Sequence, residues 1–222
     1  MTDRLTLAVV TAGLSEDSTT TRLGEAIAKA ASGTVEHAGQ HVEIKVIPLR
    51  DLAHGLTDMM ITHVASPAVQ DAIDTVLNAD GLVAASPTYK ASYSGLFKQF
   101  FDVIDESALE NLPTVVAATG GSPRHSLVLD TALRPLLSYL KALVLPLGIY
   151  AASEDWGHED LQRRIDRVGA SLAAVVLAGS PGGAPGSLDD DDAAARPGLR
   201  REVKDEFSNV PDFASLLASV GS

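Results

Sequence analysis

Cysteine is absent from the 222 residues, which excludes disulfide frames, thiolate metal sites and cysteine nucleophiles. Positive charge is scarce: 17 Lys and Arg oppose 29 Asp and Glu, for a formal net charge of −12. A surface of that sign repels the phosphate backbone whose counterions a nucleic-acid binder must release, so no nucleic-acid partner is expected. No apolar run reaches the roughly 18 residues of a membrane span. The opening MTDRLTLAVVTAGL has no basic region followed by an apolar stretch and a small-residue cleavage site. The expectation is a soluble, cytoplasmic protein without a membrane partner.

Several catalytic signatures are missing too. TAGLSED lacks the second and third glycines of a dinucleotide fingerprint, and no Gly-Lys-Ser/Thr follows it as a P-loop would require. Two positions before Ser94 stands Ser92 and not glycine, so there is no nucleophile elbow. His37 and His41 are four apart, but Gly39 between them and the turn context oppose a helical metal pair. Neither a metal site nor a catalytic acid, base or nucleophile is expected.

What the chain does have is alternation. LTLAVVT (Leu5 to Thr11) is a short, β-branched apolar run, followed by a Gly/Ser/Thr loop and the helix-patterned TRLGEAIAKAAS. VEIKVIPL alternates Val42, Ile44 and Val46 inward against Glu43 and Lys45, as a strand with one solvated face or near an edge does. Ser66 followed by Pro67 marks a helix N-terminus, with Val69, Ile73, Val76 and Leu77 as its apolar stripe. GLVAA (Gly81 to Ala85), TVVAAT (Thr114 to Thr119) and PLGIYAA are further strands. Helices are expected from about Ser94, from Leu127 to Val144 with a break at Pro135, and over HEDLQRRIDRVGASLAAVVLAG. Phe97, Phe100, Phe101 and Ile104 recur at helical spacing and read as core.

Strands separated by helices, with three interior strands apolar on both faces, predict an α/β doubly wound, five-stranded parallel sheet. Its flavodoxin-like strand order would be 2-1-3-4-5. Residues 1–179 form this domain. From 180 onward SPGGAPGSLDDDDAAARPG has no apolar periodicity, and eight carboxylates oppose four basic side chains. That segment, 180–222, is expected to be an acidic flexible linker and tail, with FASLLASV as a short docking helix.

In such a sheet ligands sit beyond the carboxyl ends of the strands, where the winding reverses. Three polar loops lie there: TAGLSEDSTTT, SPTYKASYSG and TGGSPRHS. The first offers hydroxyls and N–H groups at a helix N-terminus, which suit a phosphate; the alternative reading is that Ser18 or Thr19 simply caps the helix. The second has a turn with an aromatic side chain, a cation and Gly95, properties that suit a planar ring. The third has adjacent glycines whose backbone can meet a ligand edge.

SPTYKASYSGLFKQFFD and ATGGSPRHSLVLDTALRPLLSYLKA resemble the matching segments of the NAD(P)H-dependent FMN reductases, in the branch that supplies two-component monooxygenases such as alkanesulfonate monooxygenase. The resemblance runs in order from Leu5 to about Ala152. It implies FMN and NADPH (or NADH) as cofactors. It places the phosphate loop at Ser15, Ser18, Thr19 and Thr20. The two turns that would hold the isoalloxazine edge are Pro87, Thr88, Tyr89 and Lys90, and Thr119, Gly120, Gly121 and Ser122. It also implies hydride transfer from nicotinamide to flavin, a flavin-dependent monooxygenase as partner, and a homodimer or homotetramer whose neighbouring chain lines part of the flavin site. Leu96 to Ile104 and Leu127 to Val144 carry more apolar positions than one buried stripe needs, in keeping with such an interface. The chain departs from its relatives at Glu16 and Asp17, where an arginine is common; Arg22, one turn into the helix, is the compensating cation. Arg124 and His125 are either contacts for the nicotinamide cofactor's phosphate or surface residues. Trp156 either covers the ring or packs an interface. Two other readings share the fold, a flavodoxin-like electron carrier and an FMN-bound quinone or azo reductase.

Overall fold

The computed structural model describes residues 4–105 and 107–179, so the acidic segment from 180 onward lies outside the described residues. Its sheet is built on β1 (Leu5–Thr11), β2 (Val42–Pro48), β3 (Gly81–Tyr89), β5 (Pro113–Gly120) and two short pieces, β6 (Leu143–Val144) and β7 (Ile149–Ala152). The order is β2-β1-β3-β5-β6, with β7 also parallel to β5. The parallel, doubly wound order matches the expectation, but the count of five does not: the sheet has seven strands. One extra strand is β4 (Ser92–Tyr93), which folds back antiparallel on β3 inside what the sequence presents as a loop. The other is β6, taken above for the end of a helix.

Side-chain alternation explains the layers. Ala8 and Val10, Leu82 and Ala84, Val116 and Ala118 point to one face, into a core shared with α2 (Ala53–Thr62), α3 (Pro67–Leu77), α4 (Gly95–Asp102) and α5 (Arg134–Tyr139). Leu7 and Val9, Val83 and Ala85, Val115 and Ala117 point to the other, against α1 (Thr19–His37) and α6 (Glu159–Gly179). Close contact between those two helices depends on Gly169, where a Cβ would stand 2.6 Å from the Cβ of Ala30. β2 is the edge strand, and Val46, expected to point inward, is exposed there.

Local signals act as their chemistry requires. Ser66 and Ser94 each accept a hydrogen bond from the N–H three residues on, opening α3 and α4. Phe97, Phe100 and Phe101 are buried core, and the last two meet edge to face at 5.3 Å. The helix expected from Leu127 to Val144 instead contains a five-residue π-turn (Leu129–Leu133), runs as α5 and stops at Tyr139. Pro135 has no N–H to return to the previous turn, so the winding widens just before it. Helix α2 carried no signal strong enough to be read in advance. Among the described residues no helix is long and apolar enough to cross a membrane.

Candidate functional site

The carboxyl ends of β1, β3, β5 and β7 lie side by side. Pro87 is in register with Thr119 and Gly120 with Ala152, while Ala12 N–H donates to Ala85 C=O at 3.0 Å. The loops leaving these strands therefore diverge from one edge, and between them opens a cavity of about 490 Å³. That volume lies within the roughly 300–1,000 Å³ of small-molecule and cofactor sites.

Seven of the twelve residues singled out from sequence line it: Thr19, Pro87, Thr88, Tyr89, Thr119, Gly120 and Gly121. The other five do not. Ser18 is buried and caps α1, its Oγ accepting from Thr21 N–H at 3.3 Å. Gly13 leaves room for that hydroxyl, since a Cβ there would stand 1.7 Å from Ser18 Oγ. Thr20 is also buried, and its hydroxyl pairs with that of Thr119 at 2.7 Å, tying the first loop to the third. Ser15 is exposed on the first loop.

Lys90 stands at the tip of the β3–β4 hairpin, beyond the cavity. Thr88 pairs with Tyr93 and Tyr89 with Ser92, leaving Lys90 and Ala91 as a two-residue loop. Their φ values of 51° and 64° are those of a primed hairpin turn, normally made by Asn-Gly or Gly-Gly because an L side chain is strained there. The hairpin's base is fixed by buried Ser86, whose Oγ accepts from Ser94 N–H and donates to Pro87 C=O, each at 2.9 Å.

Ser122 sits behind the third loop, its carbonyl accepting from Tyr150 Oη at 2.8 Å. Burial pushes the Tyr150 phenol above its ordinary value of 10.0; a weaker contribution from the Thr88 hydroxyl works the other way, and Asp155 adds to the rise. Tyr150 is therefore a protonated donor at neutral pH. Thr88 Oγ1 is buried and, among the described residues, has no hydrogen-bond partner. A buried hydroxyl without a partner costs about 1–3 kcal/mol, so this atom, on a cavity wall, is positioned to meet a ligand.

The cavity also has walls that sequence reading left unassigned. These are Ala151 and Ser153; Arg22, read from sequence as a cation for the phosphate loop, and Trp156, read as covering the ring or packing an interface, complete the cavity, with the Arg22 guanidinium carbon 5.1 Å from the Trp156 ring centroid, a cation–π contact. The Trp156 loop is anchored: Ala152 N–H donates to Asp155 Oδ2 at 2.7 Å, and Arg164 pairs with the same carboxylate at 3.2 Å. The rule that ligands lie at strand ends applies equally to this fourth loop, and following it past β7 would have found Ser153. Glu16 and Asp17 are exposed, and Glu16 lies 3.8 Å from Arg50. Arg124 is exposed, its Nε donating to Ser122 Oγ at 3.1 Å, and neither it nor His125 lines the cavity.

The arrangement offers an anion the N-terminus of α1, where the first N–H groups have no partner within the helix. Beside it stand a partly exposed aromatic ring, Tyr89, and a glycine turn in which Gly121 has open space where a Cβ would project. The family described as NADPH-dependent FMN reductase matches residues 5–157. A Pseudomonas aeruginosa protein named FMN reductase (NADPH) is 38% identical, over 81% of this chain and 96% of its own. NADH-dependent FMN reductase SfnE of Pseudomonas putida is 39% identical, over 70% and 81% respectively. The X-ray structure of an oxidoreductase from Corynebacterium diphtheriae superposes with a TM-score of 0.76 at 44% identity, covering 78% of this chain and 97% of that one.

Proposed function

The chain belongs to the NADPH-dependent FMN reductase family, and from that premise we propose that it oxidises NADPH or NADH and reduces FMN held in the cavity at the carboxyl edge of the sheet. The observation that carries this reading is the convergence of Pro87–Tyr89 and Thr119–Gly121, on neighbouring strands in register, around one cavity with an unpartnered hydroxyl on its wall. The residues present fit the flavin. The α1 N-terminus and Thr19 would receive its phosphate, the Gly120-Gly121 backbone would face its ring, Thr88 Oγ1 would gain a partner there, and Tyr89 would flank the opening.

When both cofactors are bound, nicotinamide supplies a hydride from C4 that the flavin accepts at N5. The chain's own work is placement. Ser86 holds the hairpin, Thr20 holds the first loop against Thr119, and Tyr150 holds the third loop through Ser122, which would keep the loops in place for the two rings to be brought together. None of these side chains need give up or take a proton, because the hydride moves between the two cofactors.

Reduced FMN would pass to a flavin-dependent monooxygenase, the partner that the resemblance implies. The exposure of Leu127, Tyr139 and Leu143 supports a homo-oligomer. The deciding experiment follows NADPH and NADH consumption while FMN is titrated into protein of known flavin content. Turnover that rises and saturates with FMN supports a reductase. Fully loaded protein that oxidises neither nicotinamide, with or without a quinone, points to an electron carrier instead.

A further inference from the structure

The cavity shares a wall with a second groove. Between the first turns of α1 and the start of α6 lies a depression of about 480 Å³, lined by Arg22, Glu25, Lys29, Trp156, His158 and Gln162 together with apolar neighbours. Arg22 and Trp156 line both spaces, and their cation–π contact forms the partition between them. A further groove, beside α4 and α5, has no lining residue in common with the cavity.

Helical spacing brings Arg22, Glu25 and Lys29 to one face of α1. Lys29 is exposed, and among the described residues its ammonium makes no ion pair or side-chain hydrogen bond, with Glu25 or any other group. Arg22 likewise engages no carboxylate, only the Trp156 ring. In a chain of net charge −12, one helix face thus carries two cations that have no counterion among the described residues, with the carboxylate of Glu25 between them in sequence. Beside them is the Trp156 ring, which lines both spaces.

We propose that this groove binds the phosphorylated adenosine half of the nicotinamide donor, with Lys29 and Arg22 facing the 2′-phosphate that distinguishes NADPH from NADH. The inference rests on the reductase reading above. A dinucleotide whose nicotinamide must reach a flavin-filled cavity has to lay its other half on a surface continuous with that cavity, and this groove is continuous with it across Arg22 and Trp156. Trp156 gives the adenosine half a flat apolar surface, while the two cations meet its 2′-phosphate.

The test uses adenosine 2′,5′-bisphosphate, which lacks nicotinamide, titrated calorimetrically into the full chain with and without FMN. Trp156 is the one tryptophan of the sequence, so its fluorescence gives a second readout. The expected result is binding to both forms without loss of FMN, and several-fold weaker binding of adenosine 5′-monophosphate. Lys29→Ala should weaken the bisphosphate about fivefold, the loss fitting one exposed cation opposite a phosphate, and Lys29→Glu should weaken it further. FMN affinity and the KM for NADH should stay unchanged in both variants while the KM for NADPH rises. Displacement of FMN by the bisphosphate, equal binding to wild type and Lys29→Glu, or no binding to protein that NADPH does reduce would each overturn the assignment while leaving the reductase reading intact. Protein that neither binds FMN nor oxidises nicotinamide would overturn both.

Discussion

The hydroxyl of Tyr150 occupies the space a side chain at position 120 would need: a Cβ on Gly120 would lie 2.1 Å from Tyr150 Oη and 3.1 Å from its Cζ. Gly120 is thus required for close approach and not for backbone freedom. Gly120→Ala should displace the phenol, cost about 1–3 kcal/mol of stability and weaken FMN binding about tenfold or more, about 1.4 kcal/mol. In a Tyr150→Phe background the same alanine should cost less, because the atom it meets first is gone. Fluorimetric FMN titration and denaturant unfolding of the four proteins measure the coupling, and strictly additive costs would refute the steric account.

Tyr150 also makes stability depend on alkaline pH. Its pKa in the folded state is raised by burial, so the folded state holds the phenolic proton more tightly than the unfolded one. This contribution is fully present below pH 10, the ordinary value, and is lost as pH rises through the raised folded value. Unfolding free energies of wild type and Tyr150→Phe should therefore hold a constant offset at neutral pH, about 1 kcal/mol for the lost bond to Ser122. The offset should shrink above pH 10; one that grew there would reverse the assigned sign.

Thr88 separates ligand binding from folding. Because Oγ1 is buried without a partner, Thr88→Val should leave the empty protein as stable or up to about 1 kcal/mol more stable. The same change should weaken FMN about fivefold, about 1 kcal/mol. A stability loss without an affinity loss would mean that the hydroxyl serves the fold and not the ligand.

Lys90 and Ala91 hold a turn that L residues adopt at a cost. Ala91→Gly relieves about 1–2 kcal/mol of left-handed strain, offset by about 0.4–1 kcal/mol of added freedom in the unfolded chain, so the denaturation midpoint should rise modestly. Ala91→Val adds a branch at φ 64° and should lower it. Both changes leave the cavity wall untouched, so FMN affinity should respond to neither.

Much of the architecture was legible before the structure. The runs of β1, β3 and β5 are apolar on both faces because helices cover both, and the Ser66 and Ser94 caps are local chemistry in which one hydroxyl serves an N–H three residues on. The positions of the polar loops followed from winding. Less legible were β4, two polar residues in a loop, and β6, two apolar residues that continue a helix-patterned run. Neither is long enough to show a period.

What the sequence by itself determined is which segments become strands and helices, where helices start, and which loops share the carboxyl edge, because periodicity, capping and handedness act over a few residues or follow from connection order. Which hydroxyls face the cavity was decided only by tertiary structure. Thr20 and Thr119 meet each other across the loops, Ser18 turns back to its own helix, and Thr88 is left without a partner. Arg22 and Trp156, distant in sequence, became the wall between two spaces. Such pairings depend on separations of a few ångströms between elements, and no local pattern encodes them.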